Sequence, residues 1–498
     1  MYKTIIYRSV LILMLVLSCS CNKYLTLYPQ DGIVRNEFWQ NKEQVQSAII
    51  GVYSSLVQGT SGSTSDRQLT EYLWLWGEAR ADNVVTTVNA NVDDINLTAG
   101  NVLSTNLITQ WKAVYRTINL CNTVLDFAPG VMAKDPTFTQ AKLDSYLAEV
   151  LTIRSLMYFY LVRTFRDVPL KLKSTSSDAD LIQLPKSPAA DVLKQILADL
   201  ATAEQGAVFT YGDRASDKGR ITHYTINTLQ ADVYLWMDNY QACIDACQKV
   251  IDSHNFGLVE GNSGFFTNLY YNGNSNEGIF EFQYDSQVLN PFFPMFFQKS
   301  RYLGGPSLLD TMFPVNLLDD KDVDIRSNVS FNTGGSQIWK FISIDYNSAR
   351  TSDISYAHWI VYRYADVLLM KAEACAQVGR GQDALDIITQ IRTRAHASIT
   401  TLETPDPSDG AGISTYVLDE RNREFAFEGK RWFDLLRNAK RNNYANLNVL
   451  INAISANASA QNQQTIIAKL QDPNFHYLPI FINELVYDPN LVQNPYYR

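Results

Sequence analysis

Side chains able to do chemistry are dispersed along this chain of 498 residues. The densest charged cluster is Glu420-Arg421-Asn422-Arg423-Glu424, followed by Glu428, Arg431 and Asp434. At helical spacing it brings Glu420 to Arg423 and Glu424, and Glu428 to Arg431, which reads as structural pairing rather than an acid–base centre. Cys243 and Cys247 lie four apart on one helical face, but a zinc site needs further Cys or His at ligand spacing, and none is near. They read as small buried hydrophobes. His223, His254, His358, His396 and His476 stand singly and suggest neither a metal site nor a triad. No GxSxG, HExxH, P-loop or Gly-rich dinucleotide turn occurs, so no catalytic residue, metal or cofactor is assigned. A carboxylate pair for glycoside hydrolysis is defined by spatial separation and stays open at this level.

What the chain has in abundance is rings. It carries 28 Tyr, 23 Phe and 8 Trp, with 46% hydrophobic and 19% charged residues, enough for a large core. That composition excludes a disordered chain, a collagen-like repeat and a disulfide miniprotein. Lys and Arg number 42 against 51 Asp and Glu, a net charge of -9, so no general field draws nucleic acid or an anionic membrane. Beyond Cys19 and Cys21 only Cys121, Cys243, Cys247 and Cys375 remain, too few for a disulfide framework.

The N-terminus is a segment apart. Lys3 and Arg8 precede the apolar run 10–17, and Ser18-Cys19-Ser20-Cys21 follows, the pattern of a secretory signal. The run is far shorter than the roughly 20 residues a membrane-spanning helix needs. A Cys directly after small residues points to a bacterial lipoprotein signal over residues 1–20. Either Cys19 or Cys21 could accept the lipid.

Helices must position whatever site exists. Apolar residues recur at three-four spacing over 43–57, 107–127, 141–165 and 192–204. Segments 225–252 and 365–394 share a pattern of small residue, turn and small-apolar pair, the helix-turn-helix grammar of tetratricopeptide repeats. Between them, 255–355 changes character: Gly and Pro alternate with Phe, Tyr and Trp, and only 277–284 and 337–344 alternate as short strands. The expected architecture is a mainly α scaffold over 21–254 and 356–498, one domain interrupted by a loop-rich insertion at 255–355. Long loops in such a setting usually carry function.

Five segments together resemble the SusD/RagB family of Bacteroidota surface lipoproteins. They are Gly77-Glu78-Ala79-Arg80-Ala81-Asp82-Asn83, Arg166-Asp167-Val168-Pro169-Leu170, Arg363-Tyr364-Ala365-Asp366 with its helix, Phe427-Glu428-Gly429-Lys430-Arg431-Trp432, and Asn490-Leu491-Val492-Gln493-Asn494-Pro495. They run in the family's order and cover the whole mature chain. The usual Tyr-Gly before the Asp-Val-Pro turn is Phe165-Arg166 here, and the final Pro-Gly-Tyr is Pro495-Tyr496-Tyr497. The family's continuation after the acylated Cys fits Cys21-Asn22-Lys23-Tyr24-Leu25 and favours Cys21. The resemblance implies a binding protein, not an enzyme, lipid-anchored on the outer face of the outer membrane. It would deliver oligosaccharides, or in some members peptides, to a SusC-like TonB-dependent transporter. A helical-repeat glycosidase is the alternative from another class.

Sugar rings stack on aromatic faces, and their hydroxyls pair with amides, carboxylates and Arg. Two regions supply both. One is Trp74 and Trp76 with Arg80, Asp82 and Asn83. The other is Tyr284, Asn290, Phe292, Phe293, Phe296, Arg301, Tyr302 and Trp339. On this reading, replacing Trp339 or Tyr302 by Ala weakens ligand retention with little effect on melting temperature.

Overall fold

A computed structural model describes residues 38–59, 67–176, 180–305, 311–314, 323–332, 336–397, 404–456 and 458–498. The signal segment, Cys19 and Cys21 lie outside the described residues.

Helix Lys42–Val57 opens on a capping box, Asn41 accepting from Gln44 N while the Gln44 side chain accepts from the Asn41 backbone. Its apolar stripe, Val45, Ile49, Val52 and Leu56, is buried. The expected helix at 107–127 forms as a short turn Leu107–Thr109 followed by helix Lys112–Phe127. Helix Gln140–Phe165 is buried around nearly its whole circumference from Leu143 onward, which makes it the axis of the scaffold. It stops at Arg166, whose φ of 69° is left-handed, and the chain turns toward Pro169.

Against that axis lie Ala189–Gly206 and then the hairpin His223–Trp236 and Tyr240–Asp252. The hairpin Tyr364–Gln377 and Gly381–Arg394 packs directly on it. Small buried residues at the contact, Cys243, Ala246, Cys247, Ala372 and Cys375, let the helices approach closely. Helices Gly410–Glu424 and Arg431–Tyr444 continue the stack.

Strand content is small. Strand β1, Val84–Thr86, and β3, Tyr302–Gly304, form one antiparallel pair in the register Val84 to Gly304. Strands β2, Gly278–Phe282, and β4, Trp359–Arg363, form the other, with irregular register around Phe280. Each sheet joins a strand from 255–355 to one outside it. The expected strand at 337–344 does not form: only the isolated bridges Phe331 to Ile338 and Ser343 to Ala349 occur. The reason is that Ile338, Trp339, Lys340, Phe341 and Ile342 are all buried, so nothing alternates, and Ile342 N turns back to Trp339 O. One continuous apolar core runs from Val45 through Phe292, Tyr302 and Trp339 to Ile480.

Candidate functional site

Most aromatic candidates from the sequence are core. Trp74 and Trp76 are fully buried; the Trp74 indole N–H donates to Phe427 O at 3.0 Å and that of Trp76 to Ile108 O at 2.8 Å. The Trp74 ring meets Phe296 and Tyr302, each at 5.0 Å. Phe292 stacks on Phe341 at 4.6 Å and on Trp359 at 5.4 Å. Tyr284 hydrogen-bonds Thr70, and the Trp339 indole donates to Asp345 O at 3.0 Å. Phe293 is buried against Phe297, which is half-exposed. The Gly and Pro spacing of 255–355 looks like loop, but its rings fold inward because only they supply enough apolar area to seat that segment on the helices.

The motif residues Arg80, Asp82 and Asn83 form a joint with the segment 427–432 rather than a ligand face. Arg431 grips Asp82 bidentately, Nε to Oδ1 at 2.8 Å and Nη2 to Oδ2 at 2.7 Å. Glu78 accepts from Asn83 Nδ2 at 2.9 Å, Phe427 N at 3.1 Å and Gly429 N at 2.9 Å. Burial pushes its carboxyl up to about 7 against those three donors. The Arg80 guanidinium lies 3.9 Å from the Trp432 ring centroid, and burial lowers it to about 10. Gly77 is needed here, since a Cβ would lie 1.8 Å from Gly429 O.

Glu428 does not pair with Arg431 as helical spacing suggests. It accepts from Arg363 at 3.0 Å and Lys340 at 2.9 Å, and Arg363 also reaches Glu277 at 2.6 Å and Glu424 at 2.5 Å. Arg326 adds Glu420 at 2.7 Å and Glu424 at 2.9 Å. Glu420 does meet Arg423, at 3.2 Å. Every member of this network is buried, and Arg326, Lys340 and Glu277 come from 255–355, so the charges lock that segment to the helices.

Two sequence candidates do reach a surface pocket. Asn290 and Arg301 line a cavity of about 710 Å³ with Arg67, Gln68, Glu71, Ser286, Gln287 and Lys299. Helix Leu69–Trp74 supplies one wall and the loop before β3 the other. Asn290 is a wall brace: its Nδ2 donates to Ala357 O at 2.8 Å and its Oδ1 accepts from Ser355 Oγ at 2.8 Å. Arg301 is the polar centre, with Nη2 on Glu71 Oε1 at 2.7 Å and Nε 3.2 Å from Asp94 Oδ2. Arg67 closes the set on Glu71 at 2.7 Å. Burial opposes the charge on Arg301, but Glu71 and then Asp94 outweigh it and hold its pKa above the ordinary value. Lys299, Ser286 and Gln287 stand exposed around these fixed charges. The arrangement offers donors and acceptors in set positions, suited to a hydroxyl-rich or zwitterionic ligand. Sequence reasoning missed Arg67, Glu71 and Asp94; the four-residue spacing of Arg67 and Glu71 was a legible signal, whereas nothing local marked Asp94.

Two family profiles match this chain: the SusD family over residues 310–497, and one described as starch-binding associating with outer membrane over residues 24–208. The chain belongs to the SusD/RagB family. SusD-like protein P38 of Formosa agariphila is 26% identical over 485 residues, 88% of this chain and 92% of that protein. A SusD superfamily structure from Bacteroides vulgatus shares the fold with a TM-score of 0.74 at 21% identity, covering 92% of this chain and 99% of that one. NanU of B. fragilis shares it at 0.71 and 22% identity, covering 95% and 100%.

Proposed function

We propose that the protein is a surface glycan-binding lipoprotein of the outer membrane that captures oligosaccharides in the Arg301 pocket and passes them to a SusC-like TonB-dependent transporter. Family membership supports this, as does the match of residues 24–208 to a family profile described as starch-binding associating with outer membrane. The observation that carries the pocket assignment is the set Arg67, Glu71, Arg301 and Asp94, held in fixed geometry beneath exposed Lys299, Ser286 and Gln287. Fixed donors and acceptors discriminate hydroxyl patterns without paying ordering entropy at each encounter. Among the described residues no helix is long and apolar enough to cross a membrane, which fits attachment through a lipid on Cys21.

The reading makes the protein a binder without catalysis. One observation favours peptides as a second reading: the pocket wall carries both signs of charge and none of its lining residues is aromatic. Native electrophoresis of the purified chain against polysaccharide and peptide panels separates the two. Retardation by a polysaccharide without release of reducing ends is the expected result. Release of reducing ends would assign a glycosidase instead, and retardation by peptides alone would assign peptide capture.

A further inference from the structure

A second pocket, of about 420 Å³, is walled by Phe209, Tyr224 and Phe256, with Lys218, Asn255 and Asn276 also lining it. Phe209 is 58% exposed, its ring 4.4 Å from that of His223. Tyr224 stands edge-on to Phe256 at 5.3 Å, and its hydroxyl accepts from Asn255 Nδ2 at 2.6 Å. Here, unlike in the first pocket, a ring presents a face to solvent.

Lys218 is the unusual member. It is 7% exposed, and its amine lies 4.3 Å from the Phe256 ring centroid. Among the described residues, no carboxylate comes within ion-pair distance of that amine. The two aspartates of the pocket are committed to the surrounding loop. Asp217 accepts from Tyr211 N at 2.5 Å and from the Thr210 hydroxyl at 2.8 Å, and Asp213 caps Ser216 N at 2.9 Å. Glu281 of β2 and Asp217 attract the amine from farther away, while Arg214 repels it. A nearly buried ammonium with only a ring beneath it lacks a counter-ion, and an aromatic wall beside it matches the face of a pyranose.

We propose that this pocket binds an anionic sugar unit, the sugar ring against Phe209 and its carboxylate or sulfate ester on the Lys218 amine. The choice of a sugar as carrier rests on the proposed function; the pairing of amine with anion does not. Burial lowers Lys218 to about 8, so the amine is charged at neutral pH and the attraction fades as pH rises through that value.

Calorimetry on the full chain tests this with a galacturonate trimer, a sulfated galactose disaccharide and a neutral galactose disaccharide. Near pH 6 at least one acidic probe should bind roughly tenfold tighter than the neutral one, the scale of a charge-assisted hydrogen bond. The two acidic probes tell carboxylate from sulfate. The preference should vanish in Lys218→Met and shrink well above pH 8 in the unaltered protein, while Phe209→Ala should weaken the acidic probe that binds. Equal affinity for acidic and neutral probes, or a preference that survives Lys218→Met or high pH, overturns the proposal. If Lys218→Met does not fold, the pH profile and exposed Phe209→Ala decide. An acid preference kept in a Lys299→Ala variant whose neutral-glycan binding is weakened would separate this site from the first pocket.

Discussion

Asp82 and Arg431 stand 349 residues apart and meet in a two-point ion pair of 2.7 and 2.8 Å. Together with Glu78 beneath the backbone of Phe427 and Gly429, they fasten the N-terminal motif to the segment that opens helix Arg431–Tyr444. Motifs distant in sequence are here two halves of one joint.

Removing one partner of that joint leaves the other charge nearly buried. Asp82→Asn should cost about 3 kcal/mol, read as a lower midpoint in urea unfolding. A double-mutant cycle with Arg431→Met should show strong coupling. Additive losses would mean that the pair is not what holds the segments together.

Tyr302 sits on Trp74 with no exposed surface. Tyr302→Ala should therefore destabilise the protein by about 3 to 5 kcal/mol, the range for large aromatic truncations. The sequence reading expected the opposite: lost ligand with little change in Tm. Thermal unfolding decides between them.

Ligand binding should respond instead to exposed residues of the first pocket. Lys299→Ala should weaken oligosaccharide affinity by about 1 kcal/mol with an unchanged Tm, because Lys299 projects from the rim. Arg301→Ala should weaken affinity and also lower Tm, since Asp94 is fully buried and loses its nearer partner. Titration calorimetry beside thermal unfolding checks both.

Acid should find a weak point at His476. Burial lowers its pKa from 6.5 to about 4, with its Nε2 on Leu470 O. The unfolded chain takes up a proton as pH falls below 6.5, whereas the folded one refuses it until about 4. Stability present above pH 6.5 is thus lost across that window, by about 3 kcal/mol in all. His476→Gln should lose less on acidification, measured by urea unfolding at a series of pH values.

Helices were legible because they are written locally. The stripe Val45, Ile49, Val52 and Leu56, the cap at Asn41 and the small residues of the paired hairpins each announce their element within a few positions. The resemblance of five short segments placed the family, and the comparisons bear that out. The fate of Cys243 and Cys247 followed from the same local logic, as both are buried between helices.

The site was not local in that sense. Whether a ring such as Trp339 faces solvent or core depends on the area it can cover, and that is settled by helices far along the chain. Charge partners are likewise chosen by distance in space: Glu428 takes Arg363 and Lys340 and leaves Arg431 to Asp82. The sequence by itself determined a helical scaffold, its family and a ring-rich segment. Only the tertiary structure decided that most of those rings are structural, because a segment poor in regular hydrogen bonding has to be held by buried area and paired charge.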